Sequence, residues 1–486
     1  NNLSYQQARH FNRAAEGLYV ANPGFVFAAA GIPRGSVIVG IEGEPVRQLD
    51  DLERLLAGKA DQQRFTVRFI TLEEPGSSKV RVVRTDRRWF PAVRCRRDDR
   101  LGEWPCRSLD PGPEAPPPEG GVARLVEQPE ARLRKIAPAL VLVNFDMPYT
   151  VSGVSEQHYF GTGLVVDAER GYVVVDRNTI PEAIGDVRLT FGGSLEIPGR
   201  VVYVHPLHNL ALVAYDPALI AGTPVTAARF ATRRPKAGEE LWVAGLRNGD
   251  KLASQAATFA SFEPVAYPLS RTMRFRESNL ETLDLVNGPR DLDGVVVNGK
   301  GEVAALWSSF AWQGTGELAQ ENRGMPIEYV RELVDLVATG RELRSLEVEW
   351  TQMPLAAARR LGLSADWARR IGDHDPERRR LLSVARTVAG TPAAGAFQPG
   401  DLLLTIDGEP ATGFREVEQR VQKAAVVVEV LRDGLVLRLD VATVALNGDG
   451  VRRAVMWAGA LLQAPYRDMA AQRGVDIAIC LETHDA

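Results

Sequence analysis

Two histidines in this sequence lie close enough together to suggest metal chemistry. His205 and His208 are three residues apart in the segment VHPLHN. With His158 or Asp176 as a further ligand they could bind a zinc ion, which proteins hold through histidine, cysteine and carboxylate side chains. However, Pro206 lies between them and no third ligand follows at a fixed spacing. We therefore interpret the segment as a packed turn and expect neither a metal nor a cofactor.

One glycine-containing segment of the chain has no serine that could act as a nucleophile. The stretch GPRDLDGVVVNGKGEVAALW, Gly288 to Trp307, contains no serine, and the next two are Ser308 and Ser309. A catalytic serine needs a base within hydrogen-bonding reach, and neither of these has a histidine neighbour in sequence. Both are predicted to be ordinary strand residues.

The three cysteines give no metal motif. Cys95, Cys106 and Cys480 lack CxxC spacing and have no histidine beside them, which excludes a zinc site and a disulfide scaffold. Two interpretations remain open. Either all three are free thiols, or Cys95 and Cys106 face each other across a hairpin turned at RRDDRLGE and form a bridge in an oxidising compartment.

Length and composition indicate a globular protein of roughly three domains. The chain has 486 residues, of which 45% are hydrophobic and 25% charged, and its net charge is -4. This balance gives no electrostatic reason to expect nucleic acid or an anionic membrane as a partner. No apolar run is long enough to predict a membrane span. The start NNLSYQQARHF lacks the pattern of a signal peptide and an initiator methionine, so we interpret the chain either as a processed product or as a piece of a longer protein.

The chain repeats one α+β module on either side of a strand-rich middle part. Before the proline-rich segment LDPGPEAPPPEGG, the sequence predicts a strand (17–21), a helix (25–30), the strand SVIVGIEG and a helix from Asp50. The same order recurs far downstream, where DLLLTIDGEP matches SVIVGIEGEP, and a third copy begins near Arg453. Between the copies, segments such as ALVLVNF, GTGLVVD and GYVVVD predict short strands of an all-β barrel or sandwich.

These patterns resemble the HtrA/Deg family of serine proteases. The repeated module resembles the PDZ domains of that family, and the order GTG, GY and GVVVNGKGEVAALW resembles its trypsin-like domain. The resemblance implies a mainly β fold, with a degenerate trypsin-like double β-barrel flanked by α+β PDZ domains. The expected division is a PDZ-like domain with a C-terminal β-hairpin (1–108), a linker (109–122), a degenerate protease domain (123–340), a PDZ domain (341–445) and the truncated start of a further PDZ-like domain (446–486).

The same resemblance identifies the positions where the family carries its catalytic triad. Asn178 stands at the general-base histidine and Asn209 at the aspartate. Leu292 stands at the serine. An amide has no basic nitrogen and a leucine has no nucleophile, so no catalytic residue is expected in this chain.

The family's oxyanion hole is also altered in this sequence. It uses backbone N–H groups of a glycine-rich loop. Arg290 and Asp293 occupy two of the glycine positions, and Gly294 is kept. A carboxylate at Asp293 would repel a developing oxyanion.

In PDZ domains an extended peptide adds to a sheet edge beside a helix. The resemblance places this groove between Asn2–Tyr5 and the helix 51–57 in the first copy. In the second copy it places the groove between Gln352–Leu355 and the helix 415–421. Sealed packing modules are the alternative. The candidate peptide-binding residues are Leu3, Ser4, Tyr5, Leu52, Leu55, Met353, Pro354, Leu355 and Val417.

Within the family, the chain resembles the C-terminal half of the double-length members known from fungal nuclei and plant chloroplasts. The motifs HPLHNLALVAYDP, RGMPIEYV, TDRRWF and WAGALLQAPYR carry this resemblance. It implies a pseudoprotease module that helps to regulate an ATP-independent serine endopeptidase of protein quality control. The expected partners are the N-terminal protease half of the same protein, unfolded or C-terminal peptide segments, and further copies in a homo-oligomer.

Two alternative functions remain open. One is an active serine endopeptidase whose catalytic residues are relocated or supplied in trans, and the other is a pure peptide-binding adaptor. If the source is bacterial, the expected location is the periplasm or cell envelope.

Overall fold

The computed structural model describes residues 1–71, 73–154, 156–247, 251–269, 274–313, 318–457 and 460–474. The chain divides into two compact units, Asn1–Pro118 and Glu119–Ala486. No helix in the described part of the chain is long and apolar enough to cross a membrane.

The first unit is an α+β module built on one antiparallel sheet. Its elements are α1 (Tyr5–His10), β1 (Leu18–Tyr19), α2 (Gly24–Ala29), β2 (Val37–Ile41), β3 (Glu44–Pro45), α3 (Leu49–Ala57), β4 (Arg64–Ile70), β5 (Lys79–Arg84), β6 (Val93–Cys95) and β7 (Cys106–Ser108). The sheet has the order β1-β2-β4-β5, and β3 pairs with β2. The two predicted strands and two predicted helices are confirmed, with bounds that differ by one or two residues.

Helix α3 lies on this sheet because its leucines recur on one face. Leu52, Leu55 and Leu56 pack against the sheet core, as their spacing predicts. The start of the helix is capped by Asp51, whose carboxylate accepts the backbone N–H of Arg47 at 2.9 Å.

A hairpin of β6 and β7 is tied to α3 by charge. Arg94 donates to Glu53 at 2.9 Å, and Arg107 donates to the same carboxylate. Cys95 pairs with Cys106 across the hairpin, and the two sulfurs form a disulfide. The interpretation that these cysteines face each other is confirmed, whereas Cys480 lies outside the described residues.

The second unit begins with two barrels. After α4 (Ala131–Ile136), the first barrel is formed by β8 (Leu140–Asp146), β9 (His158–Asp167), β10 (Tyr172–Val175), β11 (Asp186–Phe191), β12 (Leu195–Val204) and β13 (Ala211–Tyr215). The second is formed by β14 (Glu240–Arg247), β15 (Lys251–Pro264), β16 (Glu281–Val286), β17 (Gly294–Val297), β18 (Val303–Gln313) and β19 (Leu318–Pro326), and α5 (Ile327–Thr339) follows. As far as the chain is described, each six-stranded sheet closes on itself. The predicted mainly β, double-barrel fold is confirmed.

Strand β13 shows how the two barrels pack. All five of its residues are buried, because the strand has an apolar cluster on each face. Val213 lies in the core of the first barrel, while Leu212 lies in a second cluster together with Val295 of the second barrel. The two barrels therefore pack on each other along β13. The turn after β10 and the turn before β13 carry Asn178 and Asn209, two of the predicted triad positions.

A second α+β module follows the barrels. Its elements are β20 (Leu343–Ser345), β21 (Val348–Pro354), α6 (Leu355–Arg360), α7 (Ala365–His374), β22 (Arg380–Thr387), α8 (Pro392–Ala396), β23 (Leu402–Ile406), β24 (Glu409–Pro410), α9 (Phe414–Arg420), β25 (Ala425–Arg432) and β26 (Leu435–Ala442). The sheet order β22-β23-β25-β26, with β24 on β23, repeats the order of the first module, and β21 extends it by one strand. The predicted repeat is confirmed by this topology.

The chain then continues through β27 (Val444–Leu446), β28 (Val455–Trp457), β29 (Ala460–Leu462) and α10 (Arg467–Arg473). Residues 475–486 lie outside the described part. The expectation that a further PDZ-like domain starts at 446 stays a prediction, as do the other domain boundaries.

Candidate functional site

The structure brings the first two triad positions together beside one serine. Asn178 follows β10, Asn209 precedes β13, and Ser309 lies on β18 of the other barrel. The Asn178 amide nitrogen donates to the Ser309 hydroxyl at 3.2 Å, and the Asn209 amide nitrogen donates to the Ser309 carbonyl at 2.8 Å. These amides therefore join the two barrels by hydrogen bonds.

Both ends of the Asn209 side-chain amide are bonded to backbone groups of the protein itself. Its side-chain oxygen accepts the backbone N–H of Arg177 at 2.9 Å, and its own backbone N–H donates to Glu277 at 2.7 Å. The residue is 3% exposed. A buried amide that is bonded at both ends is suited to holding a turn in place.

Leu292, at the position of the family's serine, is a core residue. It is 2% exposed and packs in a cluster that contains Leu283, Val296 and Trp307. Its carbonyl accepts the side-chain amide of Asn322 at 2.9 Å. The nucleophile position is thus filled by a side chain that points into the second barrel.

The loop that would form an oxyanion hole is closed by Asp293. The carboxylate of Asp293 accepts the backbone N–H of Thr162 in the first barrel at 2.6 Å, and burial raises the pKa of this carboxyl. Arg290 is exposed. Gly294 has φ +145°, and a Cβ there would lie 2.2 Å from the carbonyl oxygen of Ala244, so the kept glycine is required by a close backbone approach.

A second buried carboxylate, Asp176, lies beside this loop. It accepts the backbone N–H and the hydroxyl of Thr179, each at 2.8 Å, and the backbone N–H of Ser309 at 2.8 Å. Burial, with a smaller contribution from the charge of Asp293, raises the pKa of Asp176 to about 6. Asp176 thus fixes a turn. The sequence suggests this residue only as a possible metal ligand.

His208 forms a buried cation between two glutamates. Its Nδ1 lies 3.0 Å from a carboxylate oxygen of Glu277, and its Nε2 lies 3.0 Å from one of Glu418 on α9. Burial alone would lower the pKa of His208, but the two carboxylates outweigh it and raise the pKa to about 10. The imidazole is therefore protonated at neutral pH and cannot act as a base.

The other two histidines of the candidate metal site, His205 and His158, do not complete it. His205 is buried, its Nδ1 accepts the backbone N–H groups of Leu207 and His208, and burial holds the pKa of His205 well below its usual value. His158 lies 2.8 Å from Asp146 instead. Among the described residues, no group of three or more histidine, cysteine, aspartate or glutamate side chains could hold a metal ion.

The cavity at the triad positions is small. It measures about 40 Å³ and is lined by residues that include Asn178, Asn209, Ser309, Phe275 and Glu277. A space of this size holds about two or three water molecules.

In the first unit, the predicted peptide-binding residues are divided between two packing environments. Leu3 is buried in a cluster with Phe11 and Val37, whereas Leu52 and Leu55 pack on the other core cluster of the unit. Ser4 and Tyr5 begin α1: the Ser4 hydroxyl caps the helix, and Tyr5 is 72% exposed.

Sequence reasoning missed an apolar cavity in this unit. Its volume is about 610 Å³, and its lining includes Phe27, Leu52, Leu56, Phe65 and Phe90. The cavity lies on the side of α3 that faces β4 and β5. Among the predicted residues, Leu52 contributes to it.

The predicted residues of the second module also separate. Met353 and Leu355 pack against the cluster of Ala358 and Ile371, and Pro354 is exposed at the end of β21. Val417, on α9, lies in a different cluster, whose members include Leu346, Val348 and Trp350. The structure therefore brings α9 against the beginning of β21 and not against Gln352–Leu355.

Comparisons with known proteins extend over nearly the whole chain. A family profile described as PDZ-like domain matches residues 1–61. A protein of Aspergillus niger named pro-apoptotic serine protease nma111 is 29% identical over 484 residues, which cover 96% of this chain and 47% of that protein. A PDZ domain-containing protein of Schizosaccharomyces pombe is 30% identical over 483 residues, which cover 96% of this chain and 48% of that protein. A solved structure titled HtrA-type protease AlgW with tripeptide is 18% identical, has a TM-score of 0.46, and covers 65% of this chain and 96% of its own.

These relatives also bear on length and location. The chain spans about half the length of the curated relatives it matches. Both of those relatives are fungal proteins, so they do not support the expected bacterial periplasm or cell envelope.

Proposed function

Because the chain belongs to the HtrA/Deg family, we propose that it is a catalytically inactive protease-like module that supports a serine endopeptidase. Its double barrel holds the fold of the family without cleaving peptide bonds. Its α+β modules contribute binding and docking surfaces. The partners in this proposal are a protease half in the same protein and further copies of the chain in an oligomer.

The observation that carries the proposal is the state of the three triad positions. Asn178 and Asn209 both donate to Ser309, and the Leu292 side chain is buried in the second barrel. Acyl transfer by this family's chemistry needs a nucleophile, a neutral base that accepts its proton, and donors for the oxyanion. The described residues at these positions provide none of the three.

Relocated catalytic residues are the alternative, and the geometry does not favour them. Ser308 is 1% exposed, so its hydroxyl is out of reach of a substrate. The Ser309 hydroxyl accepts a hydrogen bond from Asn178. The amide of Asn178 is not basic, so it cannot take up the proton of this hydroxyl. His208 is a cation held by Glu277 and Glu418.

Active-site labelling tests this proposal. The purified chain is incubated with a fluorophosphonate probe, and casein cleavage is measured in parallel. We expect no labelled serine and no cleavage above the buffer blank. Labelling that disappears in Ser309→Ala but persists in the matched variant Ser308→Ala would show a relocated nucleophile and end the proposal.

Peptide binding in the first unit is supported by the 610 Å³ apolar cavity beside α3. An apolar side chain of an extended segment could enter it, and micromolar affinity is the expected range for such a contact.

Calorimetric titration with peptides that have apolar C-termini measures this affinity. Leu52→Asp, which places a charge in the cavity, should abolish the heat, and Leu101→Ala, at an exposed position that does not line the cavity, should leave it unchanged. Flat titrations for the unmodified chain across a peptide library would contradict this role while leaving catalytic inactivity untouched.

A further inference from the structure

The outer edge of β21 is covered by a side chain of the protease-like part. In the described residues β21 is the last strand on its side of the sheet, so its outward backbone groups face no further strand. Asn279 provides the hydrogen-bond donor and acceptor that a neighbouring strand would provide. Its amide nitrogen donates to the carbonyl of Val348 at 2.7 Å, and its amide oxygen accepts the backbone N–H of Trp350 at 2.8 Å.

This edge is the one that an added peptide would use. A peptide that extends a sheet makes its affinity from hydrogen bonds to unpaired backbone donors and acceptors. The carbonyl of Val348 and the N–H of Trp350 are one such pair, and both are already bonded. A peptide must therefore displace Asn279 before it can bind there.

The space between β21 and α9 is narrow, and the cavity that remains there, lined by residues that include Asn279, Val348 and Val417, measures about 50 Å³. Val348 and Trp350 on the strand pack in one cluster with Phe414, Val417 and neighbouring side chains of the helix side. Each of these four residues is about 4% exposed. Apolar side chains of a peptide would find this position occupied by the residues of the module itself.

The turn before β21 is unsuited to a terminal carboxylate. Glu347 sits there with φ +56°, and its buried carboxylate is held by the guanidinium of Arg467 at 2.9 and 3.1 Å. The backbone N–H of Glu347 donates to the Ser345 hydroxyl at 2.8 Å. A peptide carboxylate would thus meet a like charge and an N–H that is already used.

The segment that carries Asn279 is anchored on both sides. Arg276 forms an ion pair with Glu349 on β21, while Glu277 binds His208 and the backbone N–H of Asn209. Neighbouring residues therefore hold the second module and the triad region of the first barrel at once. The contacts of Arg276 and Glu277 therefore help to position Asn279 in addition to its own two hydrogen bonds with β21.

We propose that the second α+β module is a self-occupied docking module: the 276–279 segment is the permanent occupant of its strand edge, and the module does not receive free peptides there. The binding surface serves to fix this module to the double barrel. The inference stands whether or not the chain is catalytically inactive, because it depends on the β21 edge and not on the triad positions.

Hydrogen exchange on the full chain tests the proposal at single-amide resolution. In the unmodified chain the Trp350 amide should be protected, and Asn279→Ala should speed its exchange about tenfold, the effect of losing one net hydrogen bond of typical strength. Asn279→Asp keeps the acceptor and should retain the protection of Trp350. Asn322→Ala, which removes a side-chain to backbone bond inside the second barrel, is the matched control and should leave Trp350 unchanged.

The same measurement includes two labelled octapeptides with a C-terminal valine, one with a free carboxylate and one amidated. Neither should change the exchange of residues 348–350 in the unmodified chain, and this arm needs no variant that could fail to fold. Added protection there by either peptide would show an open edge and overturn the proposal. Equal exchange of Trp350 in the unmodified chain and in a folded Asn279→Ala would overturn it too.

Discussion

Replacing Leu292 by serine restores the residue type that the family uses at this position, yet we expect it to create no activity. The new hydroxyl would lie in an apolar cluster, and Asn178, at the base position, cannot take up its proton. In a serine protease, removal of the base from an intact triad costs on the order of 10⁶-fold in turnover. Leu292→Ser should therefore cleave casein no faster than the matched variant Leu292→Ala, which leaves the same space without a hydroxyl.

The stability of the second unit should fall markedly in both variants. Leu292 is 2% exposed and packs against Leu283, Val296 and Trp307. Truncating such a leucine costs about 2–5 kcal/mol, and burying a hydroxyl without a partner adds about 1–3 kcal/mol. Urea denaturation measures both values.

Two outcomes would refute this reasoning. Fluorophosphonate labelling at Leu292→Ser, absent from Leu292→Ala, would mean that a base reaches this position. An unchanged urea midpoint would mean that the side chain is not a core residue.

Two further predictions concern pH and redox conditions. The pKa of His208 is raised from its ordinary value near 6.5 to about 10, so its stabilising effect is complete below pH 6.5 and is lost as pH rises through 10. Between pH 7 and 10 the free energy of unfolding should fall by up to about 1.4 kcal/mol per pH unit, and thermal denaturation measures this loss. Glu418→Gln removes one of the two carboxylates and should shift the loss to lower pH. A denaturation midpoint that is constant to pH 10 would contradict the ion pairs. The disulfide of Cys95 and Cys106 closes a short loop, so reduction or a double change to serine should destabilise the first unit by about 3 kcal/mol, measured by calorimetry with and without reductant; three free thiols in the denatured, unreduced chain would contradict it.

Much of the fold could be predicted because it depends on local patterns. The repeated module is encoded by apolar periodicity, as the match of SVIVGIEGEP and DLLLTIDGEP shows. Short apolar segments predict the strands of the barrels. The juxtaposition of Asn178 and Asn209 also follows from the family's order of landmarks. In these cases, the interactions that decide the structure lie within a few residues or within a shared fold.

The contacts that the sequence did not predict are long-range and polar. Glu277 and Glu418 reach His208 from separate parts of the chain, and nothing in their local sequence distinguishes them from surface glutamates. The same holds for Asn279, whose contact with β21 nothing in its local sequence indicates. The resemblance places the peptide groove of the second module between Gln352–Leu355 and α9, whereas the structure packs α9 on the beginning of β21. That any groove in this chain binds peptide stays a prediction.

The Asn279 contact has a further consequence for the solubility of the protein. Outer strands with free backbone groups are places where two molecules can join edge to edge and aggregate. One amide side chain removes a donor and an acceptor from the exposed row on β21. The same residue that fixes the module to the barrel thereby protects the sheet against pairing with another chain, so a loss of this amide would first become apparent as turbidity at high protein concentration.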